Sequence, residues 1–410
     1  MADYELSRLL LSLVLLLSAG LAVGHIFHHF YLPRAIGEIL AGIILGPSFF
    51  GFFSPEIYDW VFNGFGEQGK LLSVFYWLGL ILLMFIAGFE LPERVGKGDR
   101  GLLTCLFIGG IGLPLASGFF IANLVPNNMG ANQTAFLIVI AVASAVTSIP
   151  VLSRIFIDLN IISTRFAKMI LTAAAAQDLF LWIILSIGLA IQAESIAALP
   201  QDTSFFKIIV STVLFVVLSI YMGPIILRLS SQILVDKKKQ LPIMGVTLLV
   251  CLVPVTIASM LGVNVVFAAL LSGIVIGQFS GERMSQIKKN IKNFSIWFFV
   301  PIYFALVGLQ INLPHSFNLE ILLKILLLSS LVKIISVTLL AYLSLASWSK
   351  SIDYGVAMNA RGGPGIVVAS IAYAAKIIDD ELFLVLILVA IITSLVSGLW
   401  IRYRREIFLS

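Results

Sequence analysis

The chain has 410 residues, of which 60% are hydrophobic and 11% are charged, and its mean hydropathy is +1.07. Soluble domains contain about 25% charged residues, so this composition excludes an ordinary soluble enzyme or binding module. The formal net charge of +5 arises mainly from lysines and arginines in loops and therefore does not indicate a nucleic-acid partner.

Apolar runs long enough to cross a hydrocarbon core of ~30 Å recur along the whole chain. We predict thirteen transmembrane spans, numbered in order: Leu6–Phe27, Ala35–Phe53, Leu71–Phe89, Gly101–Val125, Thr134–Ile157, Phe166–Gln192, Phe205–Leu229, Leu241–Leu261, Val263–Phe279, Phe294–Leu309, Leu319–Ser347, Tyr354–Lys376 and Leu382–Ile401. The predicted fold class is an all-α polytopic membrane protein.

Lysine and arginine are concentrated in alternate loops. Nineteen of the 26 lie on one side of the predicted membrane, five lie on the other, and two lie within spans. The positive-inside rule assigns the rich side to the cytoplasm. We therefore expect the N-terminus outside and the C-terminus inside, as an odd number of spans requires.

Two short motifs of the first half recur in the second half. Gly42-Ile-Ile-Leu-Gly46 in span 2 resembles Gly273-Ile-Val-Ile-Gly277 in span 9, and Gly88-Phe-Glu-Leu-Pro92 after span 3 resembles Gly308-Leu-Gln-Ile-Asn-Leu-Pro314 after span 10. An odd number of spans separates the partners, so the repeats have opposite orientations. This pattern predicts inverted repeats over residues 1–192 (spans 1–6) and 241–410 (spans 8–13), joined by a connector over 193–240 that contains span 7.

Spans 5 and 12 are interrupted at corresponding positions, by Thr147-Ser-Ile-Pro150 and by Arg361-Gly-Gly-Pro-Gly365. Proline removes a backbone donor, and unpaired backbone groups at this depth are tolerated where they line a cavity or coordinate an ion. The alternative is that both prolines merely kink packed helices. Matching breaks in the two halves favour crossed broken helices at a transport site.

Three charged residues are predicted to lie deep in the membrane. Asp178 lies in the middle of span 6, Lys333 lies in span 11, and Arg361 lies at the break in span 12. Such residues are costly in lipid and usually mark an ion or proton pathway. We expect Asp178 to be the only deep acid, Lys333 to be its charge partner and Arg361 to serve the span-12 break. A purely structural counter-ion role for either base is the alternative.

These residues resemble the monovalent cation:proton antiporter superfamily, specifically its second family of bacterial sodium/proton exchangers and potassium efflux systems. The resemblance covers essentially the whole chain and rests on Pro33–Pro47, Thr147-Ser148, Gln177-Asp178, Lys333 and Arg361-Gly362. It implies a homodimer in a bacterial cytoplasmic membrane, with spans 1, 2, 8 and 9 as a scaffold and spans 3–6 and 10–13 as a moving core. It also implies that Asp178 binds the ion and that Lys333 is its partner.

The predicted function is exchange of Na⁺ or K⁺ for H⁺ by alternating access around Asp178, with no enzymatic reaction and no cofactor. Hard cations prefer oxygen ligands, and the candidates are the Asp178 carboxylate, the Gln177 amide and the hydroxyls of Thr147 and Ser148. A hydrogen-bonding spacer role for Gln177, and local helix capping by Thr147 and Ser148, are equal alternatives.

One carboxylate implies 1:1 electroneutral exchange. A sodium-coupled organic-solute symporter is the competing class and would need a wider polar pocket.

Two further features lie near the cytoplasmic end of span 1. Three histidines lie there, His25, His28 and His29, and we interpret them as residues that pack the end of the helix. The first alternative is an interfacial or pH-sensing role, and a metal site is the second alternative. Glu38 is expected to cap span 2 or to extend to the interface, with a pathway role as the alternative. Membrane lipids are the remaining predicted partners.

Overall fold

The computed structural model describes residues 3–30, 34–90, 99–127, 131–195, 243–261, 265–279, 281–312, 317–345 and 347–409. Within these ranges the regular structure is entirely helical. Eight helical segments of the described chain are long and apolar enough to cross a membrane, and shorter apolar helices accompany them. Two of the eight, Arg34–Phe53 and Glu282–Leu309, combine consecutive helices. The fold is all-α, and the chain is an integral membrane protein.

The helices are numbered here in chain order. They are α1 (Asp3–His29), α2 (Arg34–Leu45), α3 (Phe50–Phe53), α4 (Pro55–Phe62), α5 (Gln68–Phe89), α6 (Arg100–Ala122), α7 (Gln133–Ala145), α8 (Ile149–Asp158), α9 (Arg165–Ser195), α10 (Ile243–Met260), α11 (Val265–Gly277), α12 (Glu282–Phe294), α13 (Val300–Leu309), α14 (Leu319–Leu345), α15 (Trp348–Met358), α16 (Gly362–Ala374), α17 (Asp380–Tyr403) and α18 (Arg405–Leu409). A π-helical turn, Ser295–Phe299, joins α12 to α13.

The described helices account for every predicted span except span 7, which lies outside the described residues together with most of the connector. Span 5 consists of α7 and α8, and span 12 consists of α15 and α16. Span 2 is shorter than predicted, because α2 ends at Leu45 and Gly46-Pro47 separates it from the short helices α3 and α4. The total number of membrane crossings stays a prediction.

The helices pack as two groups. The first bundle consists of α1, α2, α5 and α10–α13, and the second bundle consists of α6–α9 and α14–α17. Among the described residues, every extensive helix–helix contact falls within one of these groups, and the contacts between the groups are sparse. Each bundle therefore combines three spans from the first half of the chain with three from the second half.

Paired glycines bring the helices of the first bundle into backbone contact. A Cβ atom on Gly42 would lie 2.9 Å from Cα of Gly308, and one on Gly308 would lie 2.9 Å from Cα of Gly42. Gly88 and Gly273 meet in the same way, at 2.8 Å and 2.9 Å. The sequence motifs relate Gly42 to Gly273 and Gly88 to Gly308, so each contact is the counterpart of the other. This is the arrangement that an inverted repeat predicts, although the repeat boundaries themselves stay a prediction.

The packing corrects one expectation from the family resemblance. Spans 3 and 10 were expected in the moving core, but α5 and α13 pack with α1, α2 and α11 in the first bundle. The physical reason is the two glycine contacts, which hold α13 directly against α2 and α5 directly against α11 because no side chain separates the crossing backbones. Composition alone did not indicate which partner each glycine would meet.

Candidate ion-binding site

The first break separates α7 from α8 at residues 146–148. Val146 has an extended backbone (φ −61°, ψ 143°), which ends α7, and the Ser148 hydroxyl accepts a hydrogen bond from the Val151 amide (3.4 Å) in the first turn of α8. Pro150 is the second residue of α8, where a backbone donor has no intrahelical acceptor in any case. The proline therefore lies in the first turn of the second half-helix, where it removes no helical hydrogen bond.

The second break separates α15 from α16 at residues 359–361. Gly362 has a φ of +35°, a conformation that favours glycine, and a Cβ there would lie 2.7 Å from the Ser148 hydroxyl oxygen. The Gly362 amide donates to the hydroxyl of Ser394 on α17 (2.9 Å). Pro364 is the third residue of α16 and, like Pro150, lies in a first helical turn.

The two breaks are bonded to each other. The Ser148 amide donates to the Ala360 carbonyl (2.7 Å), and the Thr147 hydroxyl lies 3.0 Å from the Met358 carbonyl oxygen. Thr147 and Ser148 are fully buried. Spans 5 and 12 therefore cross at their interruptions, in the middle of the second bundle.

Lys333 binds the end of the first half-helix. Its ammonium group donates to the carbonyls of Ala145 (2.6 Å) and Val146 (2.7 Å) and to the Thr147 hydroxyl (2.8 Å). All three donors are thus used, and the positive charge lies at the carboxyl end of α7, where the helix dipole is negative. Sequence analysis predicts Lys333 as the charge partner of Asp178; in the structure its ammonium group instead binds the carbonyls at the end of α7.

Arg361 is buried beside the second break. Its guanidinium donates to the Ser329 hydroxyl (2.7 Å) and, over a longer distance of 3.5 Å, to the Asn359 side chain. Its Nε has no hydrogen-bond partner, and no carboxylate among the described residues forms an ion pair with it. Arg361 therefore adds a second buried positive charge close to Lys333, with which it interacts electrostatically.

Gln177 holds the first break against α6. Its amide oxygen accepts from the Thr147 hydroxyl (3.0 Å), and its amide nitrogen donates to the Leu106 carbonyl (3.0 Å). Gly110 on α6 leaves room for this side chain, because a Cβ there would overlap the amide. In this conformation Gln177 is a hydrogen-bonded spacer, one of the two roles that the sequence left open.

Asp178 lies one residue further along α9 and is 4% exposed. Among the described residues it accepts no hydrogen bond and forms no ion pair within 4 Å, and its Oδ1 atom is fully buried. Lys333 is the charged group that acts on it electrostatically. The expected direct pair between Asp178 and Lys333 is therefore replaced by a longer-range interaction.

Besides Asp178, two acids among the described residues are buried inside the protein, and sequence analysis did not identify either as buried. Asp353 on α15 is fully buried and accepts hydrogen bonds from Arg404 (3.0 Å to each oxygen) and from the Trp400 indole (3.0 Å). Glu38 on α2 is 6% exposed and faces Gly24 on α1, where the missing side chain makes room for it. Neither acid lies at the breaks, so Asp178 remains the acid of the crossing site.

The predicted histidine group lies in the last two turns of α1. The His29 ring contacts Phe30 edge-to-face, with 5.7 Å between ring centres. No group of three His, Cys, Asp or Glu side chains that could hold a metal ion occurs within the part of the chain that the structure describes.

An all-α membrane fold in which two broken helices cross beside an unpaired buried carboxylate is the arrangement typical of secondary transporters. The sequence matches the family described as sodium/hydrogen exchanger, transmembrane, over residues 13–403. The chain belongs to this family.

Individual relatives and one solved structure agree with that assignment. The chain is 27% identical to Cation/H(+) antiporter 18 of Arabidopsis thaliana, over 96% of this chain and 48% of that protein. It is 26% identical to the Na(+)/H(+) antiporter of Enterococcus hirae, over 95% of this chain and 96% of that protein. The sodium proton antiporter MjNhaP1 from Methanocaldococcus jannaschii has the same fold, with a TM-score of 0.65 at 16% identity, covering 99% of this chain and all of that one. The chain spans about half the length of the plant relative.

Proposed function

We propose that this protein exchanges Na⁺ or K⁺ for H⁺ by alternating access, and that Asp178 binds the cation and the proton in turn. The observation that carries the proposal is the state of Asp178: it is buried, next to the crossing of the two breaks, and has no hydrogen bond or ion pair among the described residues. A buried carboxylate is costly unless it is protonated or binds a cation. Each of those two forms relieves the cost, and exchange is the alternation between them.

The oxygen atoms around the crossing are the proposed cation ligands, together with Asp178. Thr147 and Ser148 contribute hydroxyls, and Gln177 contributes an amide oxygen that is now bonded to Thr147. Hard monovalent cations favour such oxygen donors. Because the Thr147 hydroxyl lies within bonding distance of two acceptors and one donor, rotation of that single group would free an oxygen for the cation.

Lys333 and Arg361 are proposed to maintain the site. Lys333 holds the end of α7 through three hydrogen bonds, and Arg361 links the second break to Ser329 on α14. The positive charge of Lys333 also attracts the Asp178 carboxylate and so competes with the transported cation for it. This competition lowers the affinity of the site for the cation, which an exchanger needs because it must release its ion on every cycle.

We propose electroneutral 1:1 exchange. Asp178 is the acid at the crossing, and the neighbouring position is Gln177, which does not titrate. Deprotonation of Lys333 during the cycle would add a second proton, but it would leave one of the three acceptors around its ammonium group without a donor.

The setting of the protein is proposed by analogy and from charge placement. We propose a homodimer surrounded by lipid in a bacterial cytoplasmic membrane, with the N-terminus outside, no enzymatic activity and no cofactor. The Enterococcus relative is named for Na⁺, whereas the plant relative is named only for a cation. The named relatives are antiporters, so the sodium-coupled symporter alternative has no support from them.

Purified protein in proteoliposomes tests the proposal. Vesicles with an acidic interior are diluted into NaCl, KCl or choline chloride, and the internal pH is followed with a fluorescent dye. We expect proton efflux with Na⁺ or K⁺ and none with choline. Equal efflux in all three salts, or efflux that requires an organic solute, would refute the exchange function.

A further inference from the structure

Three buried hydroxyl groups meet at the seam between the two bundles. Tyr76 on α5 and Tyr303 on α13 belong to the first bundle, and Ser370 on α16 belongs to the second. The rings of Tyr76 and Tyr303 have centres 5.1 Å apart, and the Ser370 hydroxyl lies within interaction range of both phenol groups. Their exposed fractions are 8%, 0% and 2%.

The hydroxyls are close to one another but incompletely bonded. Neither the Tyr303 hydroxyl nor the Ser370 hydroxyl makes a hydrogen bond of acceptable geometry to a described residue. Buried polar atoms without partners are uncommon in native proteins and usually indicate water, an ion or a functional constraint. Other buried serines, such as Ser186 and Ser272, donate to the carbonyl four residues earlier in their own helix, although Ser330 and Ser336 on α14 also lack a partner.

The position of the cluster along the helices places it to one side of Asp178. Tyr76 lies eight residues after the first residue of α5, Tyr303 lies six residues before the last residue of α13, and Ser370 lies four residues before the last residue of α16. By the predicted topology these three helix ends share one face of the membrane. At 1.5 Å per residue each is within about 12 Å of that face. Asp178 lies in the middle of α9. By the predicted orientation this face is the outer one.

We propose that Tyr76, Tyr303 and Ser370 form the outer gate of the pathway to Asp178. In the described structure the three side chains are buried where the two bundles meet, and we assign this arrangement to the closed state of the gate. When the bundles separate on this side, the hydroxyls bind the water that enters and replace part of the hydration shell of the passing cation. Hydroxyls suit this role because they are wettable yet uncharged, so they do not retain the cation. The inference rests on the proposed exchange function.

Cysteine accessibility tests the gate. Cys105 and Cys251, both free thiols, are first replaced by alanine, and Ser370→Cys is introduced into that parent. A membrane-impermeant thiol reagent is applied from each side of oriented vesicles. We expect modification from the outer side only, with loss of exchange afterwards. Modification from the cytoplasmic side, no modification in a sample that exchanges, or modification that leaves exchange intact would each overturn the gate.

Further variants make the result specific. Tyr76→Cys repeats the test if Ser370→Cys does not assemble, and Ser272→Cys, buried inside the first bundle, should resist the reagent from both sides. Tyr303→Phe should slow exchange about two- to tenfold, the effect expected for one hydroxyl hydrogen bond, whereas Tyr354→Phe should not. Equal rates in the two variants would count against the hydroxyls. Absence of exchange in the wild-type protein would count against the proposed function, whereas labelling from the wrong side with exchange intact counts against the gate alone.

Discussion

The Ser148 amide donates a hydrogen bond of 2.7 Å to the Ala360 carbonyl, and this single backbone contact joins the two interrupted helices at their breaks. Ser148 and Ala360 are 212 positions apart in the sequence and belong to different halves of the chain. Around this contact the structure assembles Thr147, Gln177, Lys333 and Arg361, and beside it Asp178 is left without a bond. The predictions below test what each of these groups contributes.

Lys333→Ala should destabilise the protein and disturb exchange. The substitution leaves the Ala145 and Val146 carbonyls without donors, at a cost of about 1–3 kcal/mol for each buried group, and removes the charge that acts on Asp178. Thermal unfolding in detergent and the pH profile of exchange should both shift. Lys324→Ala is the matched control, because Lys324 lies on the same helix in an exposed pair with Glu320. Similar melting curves for the two variants would show that Lys333 does not hold the break.

Thr147→Val should weaken cation binding while preserving the shape of the side chain. The hydroxyl accepts from the Lys333 ammonium group (2.8 Å), and a hydrogen bond to a charged group contributes about 1.5–3 kcal/mol. We expect the cation concentration for half-maximal exchange to rise about tenfold or more. Thr147→Ser, which keeps the hydroxyl, should stay close to the wild type. Unaltered kinetics in the valine variant would remove Thr147 from the site.

Arg404→Ala should lower stability without changing the stoichiometry of exchange. Asp353 would stay buried without its bidentate partner, a situation that costs about 3–5 kcal/mol. Arg165→Ala breaks a more exposed pair with Asp99 and should cost no more than about 1 kcal/mol. The denaturation midpoints of the Arg404→Ala and Arg165→Ala variants measure this difference in stability. If Arg404→Ala changed the number of protons exchanged per cation, Asp353 would not be a purely structural acid.

Gly88→Ala should impair assembly of the first bundle. The added methyl group would overlap the Leu270 carbonyl and approach the Gly273 backbone, and such overpacking costs about 1–3 kcal/mol or more. Gly66→Ala is the control, since nothing lies within 4 Å of a Cβ at that exposed position. Comparable yields and melting temperatures for both variants would contradict close backbone packing at Gly88.

Hydropathy and charge were sufficient to predict most helices, and the corresponding breaks were sufficient to predict where spans 5 and 12 would meet. Bonding partners were harder to predict. From the sequence, Lys333 was recognisable as a buried base that could pair with a buried acid. Its actual partners are backbone carbonyls at the end of α7, and because every helix ends in such carbonyls, no residue type in the sequence marks them as a binding site. Asp353 looked unremarkable near the end of a span because its partner, Arg404, comes 51 residues later. The prolines were visible, but their place in a first helical turn depends on where each helix restarts.

Imposed membrane potential tests the stoichiometry. If one proton exchanges for one cation, no net charge moves, and a potential worth ~2.3 kcal/mol per charge per 100 mV should leave the equilibrium unchanged. Vesicles clamped with valinomycin and K⁺ are assayed for the Na⁺ gradient at which net proton flux vanishes. A shift of that gradient with potential would indicate a second titrating group, and Lys333 would be the first candidate.

The central claim is that one carboxylate, Asp178, holds either the proton or the cation. Proton release on cation binding tests it most directly: purified protein in a weakly buffered solution is titrated with NaCl or KCl, and the released protons are counted against the cation bound. We predict about one proton per cation in the wild type, as for any single competitive carboxylate. Release should vanish in Asp178→Asn and persist in Asp353→Asn, which alters a buried acid outside the site. Cation binding without proton release in the wild type, or undiminished release in Asp178→Asn, would contradict the account.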